Sequence, residues 1–149
     1  MSALIALHGL IAMIWVGGMF FAYIVLRPAA QTIEAPVRLR LWSRIFERFF
    51  PWVWAAVVIL PASGYFLIIT RLGGFAHLPL AINVMQGLGI VMILLYLHVF
   101  FAPYRRLRTG VEAGDFVKAG QALRQIRQLI GINMVLGLIT VFVALAGVA

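Results

Sequence analysis

Two histidines lie inside long apolar stretches of this chain, and they are the side chains best placed to do chemistry there. An ionisable residue in such a stretch is costly and defaults to a functional role. His8 shares a helical face with Ala12 and Trp15. One imidazole, a small residue and a large aromatic wall form a face that can hold a flat apolar ligand with its metal on the imidazole. His98 lies near the end of a later stretch, with Gly87, Val91 and Leu94 on its side. Arg105 and Arg106 follow one to two turns on. That order suits a tetrapyrrole whose iron meets His98 and whose propionates meet arginines.

Depth separates the two histidines. His8 sits about 8 Å below one membrane surface at a helical rise of ~1.5 Å per residue, and His98 sits ~20 Å further across. One iron needs two axial nitrogens only ~4 Å apart, given metal–imidazole bonds of about 2 Å. The pair therefore does not clamp one haem. A partner for His8 must come from its own half: Met85, with Asn83 and Gln86 beside it, or His77 in the adjoining loop. A His/Met pair is a haem ligation type and equally a soft site for Cu(I). Met13, Met19, Met92 and Met134 scatter over faces and depths and read as packing.

The elements that position these residues are four apolar stretches, Leu4–Leu26, Trp52–Thr70, Leu80–Ala102 and Leu129–Val148. Each approaches the ~20 residues that cross a bilayer as helix. Of the 12 Lys and Arg residues, all but Arg71 fall between the first and second or the third and fourth stretches. The positive-inside rule then places both long loops in the cytoplasm and both termini outside. Between residues 37 and 50, Arg40, Arg44 and Arg48 line one helical face, and Trp42, Ile45, Phe46 and Phe49 line another. This predicts a separate amphipathic helix in the cytoplasmic interface, with Pro51 opening the second span. Pro61 predicts a kink in that span. Asp115 is placed to cap a short helix leading into the fourth span.

Composition excludes several classes. At 64% hydrophobic and 11% charged residues, the chain is no ordinary soluble domain. With no cysteine, disulfides and thiolate metal sites are excluded. No Asp, Glu or Lys lies inside a span, which argues against a pump relaying protons through buried carboxylates. The net charge of +8 reads as topology signal and as attraction to anionic cytoplasmic headgroups, with no nucleic-acid partner. The first stretch lacks a basic leader and a small-residue cleavage site, so it is expected to stay as the first span.

The first span reads Leu7-His8, then Trp15-Val16-Gly17-Gly18-Met19-Phe20-Phe21, then Leu26-Arg27-Pro28. Further on come Phe46-Glu47-Arg48-Phe49-Phe50-Pro51, Ser63-Gly64, Met85-Gln86-Gly87 and His98 five residues before Pro103. This set, spread over nearly the whole chain, resembles the copper resistance D (CopD-like) membrane family. The first-span run is also similar to the opening helix of the HemJ-type protoporphyrinogen oxidases. The first resemblance implies copper uptake or handling at the inner membrane. The second implies a haem on His8, with electron transfer to a quinone or oxidation of a porphyrinogen.

The expectation is one all-α membrane domain over residues 1–149, an antiparallel four-helix bundle of the bacterial inner membrane. The leading functional expectation is a haem-b protein doing membrane oxidoreductase chemistry with a quinone or porphyrin. In it, His8 binds iron beside Trp15, with Met85 or His77 opposite, and His98, Arg105 and Arg106 form a second site. The alternatives are a copper site built on His8, Met85 and Asn83, and a cofactor-free accessory subunit. The glycine-rich first span offers a face for packing inside the bundle or against a second copy.

Overall fold

Long apolar runs in this chain leave the backbone one way to satisfy its own polar groups in lipid, which is to coil. The computed structural model, which describes residues 1–147, is helical throughout its ordered elements, with no strand among the described residues. Helix α1 (Ser2–Phe20) runs through a π-helical turn, Phe21–Leu26, into the short α2 (Arg27–Ala30). Then follow α3 (Ala35–Arg71), α4 (Leu80–Phe101), α5 (Pro103–Glu112) and α6 (Phe116–Ala146). Four helical rods, spanning Ser2–Ala30, Ala35–Arg71, Leu80–Glu112 and Phe116–Ala146, are long and apolar enough to cross a membrane. The expected end of the fourth span at Val148 lies outside the described residues. The protein is a multi-pass membrane protein with a four-helix bundle fold.

Two boundaries differ from the sequence expectation. The amphipathic segment over residues 37–50 and the second span form one 37-residue helix, with Pro51 and Pro61 inside it. The reason is packing. Trp42, Phe46 and Phe50 recur every four residues and are all buried. Their rings stack in a ladder, with centroids 5.5 Å and then 5.1 Å apart, that reaches the residue before Pro51. Tertiary contact on that face outweighs the one ladder hydrogen bond a proline removes. Likewise, the helix expected before the fourth span is simply the start of the 31-residue α6. Asp115 does cap it, its side chain accepting a hydrogen bond from the Lys118 backbone at 3.1 Å.

α1 packs on α3 and α6, and α4 packs on α6 and α5. Trp15 of α1 and Tyr96 of α4 meet with rings nearly perpendicular at 6.4 Å. Small residues set the close approaches, since in lipid van der Waals fit replaces the hydrophobic drive. A β-carbon on Gly18 would lie inside the Phe49 ring contact, and one on Gly137 would meet Val16 at 2.8 Å. Gly17 faces open space, so the Gly17-Gly18 pair splits into one packed and one bare glycine.

Candidate functional site

His8 is half-buried on α1 and turned toward α3. Its Nδ1 lies 2.6 Å from the Oγ of the buried Ser63. The same Oγ lies 2.6 Å from the Ile59 carbonyl and 3.2 Å from that of Leu60. A hydroxyl has one proton, and only that proton can bridge two oxygens 2.6 Å apart. These distances fit Ser63 donating to Ile59 and accepting from His8 Nδ1–H, the tautomer assigned from this geometry. Nε2 is left with its lone pair, the form in which histidine binds metals. A serine behind the ring, fixing tautomer and orientation, is the outer-shell support metal-binding histidines require. The next residue is a glycine for a reason: a β-carbon at Gly64 would touch His8 Cε1 at 3.4 Å, so the ring rests against the backbone of α3.

The other residues expected near His8 keep to their own elements. Met85 and Gln86 are half-buried in the first turns of α4, while Asn83 is exposed. His77 is exposed in the connection between α3 and α4, where Gly73 and Gly74 take the positive φ values that turn the chain. No group of three or more His, Cys, Asp or Glu side chains able to hold a metal ion exists among the described residues. Any site of three or more ligands at His8 would therefore include methionine, amide or backbone donors.

Trp15 does not wall an open slot. It is 3% exposed, and Tyr96 packs against it with the two rings nearly perpendicular. His98 is exposed on α4, as are Arg105 and Arg106 on α5. Arg106 donates to the Gln125 side chain on α6 rather than pointing back along α4. The chain breaks helical geometry at Ala102 (φ −115°, ψ −87°), so the arginines start a new helix instead of extending the histidine's own. A cavity of about 450 Å³ does exist at the arginine-bearing end, but no His, Met or Cys lines it. Tyr23 is the one lining side chain of a type that ligates haem iron.

The copper resistance protein D family matches residues 43–147. The chain belongs to the CopD family. No curated protein and no solved structure matches the chain. None of these results corresponds to the HemJ-type likeness of the first span. The CopD match begins within α3 and runs through α6, so Ser63 lies inside it and His8 lies outside. Two short motifs that carried the CopD resemblance in the sequence, Leu7-His8 and Ser63-Gly64, meet in space as a hydrogen-bonded pair.

Sequence reasoning gave Ser63 no role, because a helical serine ordinarily bonds back to its own carbonyls. It gave Asn133 little weight as well. In this CopD-family bundle Asn133 is buried on α6 and donates to the Met92 carbonyl at 3.2 Å. Its Oδ1 has no partner among the described residues. A void of about 20 Å³ beside it, edged by Trp15, Met19 and Tyr96, has room for about one water.

Proposed function

We propose that this CopD-family protein binds and handles copper as its cargo in the bacterial inner membrane, with His8 Nε2 meeting the ion. The observation that carries the reading is the family match over residues 43–147. The Ser63 contact on Nδ1, which leaves Nε2 for a metal, supports His8 as the residue that meets the ion. A neutral imidazole with a thioether suits Cu(I), and Met85 and Asn83, with His77 in the adjoining loop, are the donors from the same end of the bundle. In this reading the chain is one membrane domain with both termini outside, and His8 faces the compartment from which copper arrives. The haem reading, with its quinone or porphyrin partner, has less support: Trp15 is buried, and the His8 ring rests against the backbone of α3 at Gly64.

The test is a competition titration of the detergent-purified protein with Cu(I), under reducing conditions, against a chromophoric chelator. The expected result is one tight site that weakens about 100-fold or more in His8→Ala. Ser63→Ala should weaken it by about tenfold, the lower end of what loss of an outer-shell partner costs. Unchanged affinity in His8→Ala removes the site. A Soret band in protein expressed with added haem, lost in His8→Ala, restores the haem reading instead.

A further inference from the structure

The cavity at the arginine-bearing end is unrelated to His8 and has its own chemistry. Three segments far apart in sequence build it: the π-helical turn with α2, the first half of α3, and the first half of α6. Arg27, Arg38, Arg124 and Arg127 line it, and no Asp or Glu does. Four guanidinium groups around one space raise each other's energy, and an anion between them relieves it. Guanidinium forks match phosphate oxygens two at a time. Two of the four are held in place. Arg38 Nη1 donates to the Ile33 carbonyl at 3.0 Å, and Arg27 lies over the Tyr23 ring at 5.0 Å.

The rest of the lining is mostly apolar, with Gln31, Gln121 and Tyr23 as its other polar side chains. Trp42 and Phe46 are buried beneath the arginines, with Leu39 and Ile130 beside them. A volume of about 450 Å³ is far more than one phosphate group fills, so the occupant brings apolar substance with its charge. The backbone is shaped for this space as well. Ala22 and Tyr23, two of its lining residues, sit on the six-residue π-helical segment, a rare form concentrated at functional sites. Gly120 leaves a further gap, with nothing within 4 Å of where its β-carbon would stand.

We infer that this cavity is a binding site for a phosphate ester joined to an apolar group, with the phosphate among Arg27, Arg38, Arg124 and Arg127 and the apolar part against Trp42 and Phe46. An anionic phospholipid supplies both parts, and so does a soluble phosphate ester.

Native mass spectrometry of the protein released from nanodiscs containing equal phosphatidylglycerol and phosphatidylcholine tests this. The wild type should retain at least tenfold more phosphatidylglycerol than phosphatidylcholine. R124Q/R127Q should lose that preference. R44Q/R48Q, which removes the same charge from exposed positions outside the cavity, should keep it. Gly120→Leu fills the space with every arginine in place and should also lose the lipid; it decides the matter if R124Q/R127Q fails to fold. Displacement of the lipid by millimolar hexyl phosphate assigns the site to a soluble ester, and no displacement assigns it to the lipid. Equal retention of the two lipids by the wild type overturns the site. So does equal loss in R44Q/R48Q and R124Q/R127Q, or undiminished retention in Gly120→Leu.

Discussion

The two ends of this bundle are built differently. At the arginine-bearing end, Leu39, Trp42, Phe46, Phe50, Tyr96, Tyr104, Leu107 and Ile126 are all buried, and their rings form a continuous network of stacked and edge-to-face contacts. At the opposite end, no residue of α4 from Leu80 to Val91 is buried, and α3 contributes Ser63 and Ile68 beyond Pro61. The polar pair His8–Ser63 sits at this thin end. In a membrane, α4's exposed flank faces lipid and is no liability there. It does mean that few protein contacts must break for a donor on α4 to move relative to His8. Regions of low contact density are where local opening is cheapest. The densely packed end holds the bundle together, and the loose end is where local opening costs least.

Removing a ring from the dense end is the strongest way to break this contrast. Phe50 is 3% exposed and touches the rings of Phe46, Tyr96, Phe100 and Tyr104. Its carbonyl also accepts the Tyr96 hydroxyl at 3.3 Å. Phe50→Ala should destabilise the fold by about 3–5 kcal/mol, the range for deleting a buried aromatic, read by reversible unfolding in mixed micelles. The matched change at the thin end, Phe66→Ala on an exposed flank of α3, should cost far less. Equal losses would abolish the distinction between the ends.

A smaller effect sharpens where the dense region stops. Gly137 lies on α6 against Val16 and Met92. A β-carbon there would come within 2.8 Å of Val16 Cγ2 and 3.1 Å of Met92 Cε. The methionine can yield, but a β-branched valine in a helix has little rotamer freedom. Gly137→Ala should therefore cost about 1–3 kcal/mol, as overpacking does, despite its better helix propensity. A neutral result would show that α1 and α6 are not locked at this level and that the loose region reaches the bundle centre.

The four-span topology was legible in the sequence because length and hydropathy decide it with little competition. The break at Pro103 was legible for the same kind of reason: the residue before a proline is pushed out of helical geometry, and Ala102 obeys. Pro51 was not, because the aromatic ladder running up to it is an i, i+4 pattern whose partner surface, Tyr96 and Tyr104, lies some 50 residues away. His8 could be singled out from one fact, an imidazole in an apolar run. Its partner could not, since the pairing of α1 with α3 is a packing outcome. The arginines were read as topology markers, which charge counting supports. That four of them face one cavity depends on the π-helical turn at Phe21–Leu26, and nothing in those six apolar residues announces it.

The smallest expected effect probes whether the bundle stands alone. Gly18 packs under Phe49, whereas a β-carbon on Gly17 meets nothing within 4 Å. Alanine at Gly17 should then be neutral or stabilise by up to about 1 kcal/mol, because glycine inside a helix carries an entropy cost that alanine lacks. The glycine would be idle in a single chain surrounded by lipid. If Gly17→Ala instead destabilises the protein, and destabilises it more as it is diluted into detergent, the bare face of α1 is covered by a second copy. Small residues on exposed helical faces are how membrane helices bring their backbones together. Measuring the unfolding midpoint of Gly17→Ala and of the wild type at several protein-to-detergent ratios separates the two cases. A concentration-independent gain in Gly17→Ala means that α1 meets only lipid on that side, and that the thin end owes its looseness to the chain itself rather than to a missing neighbour.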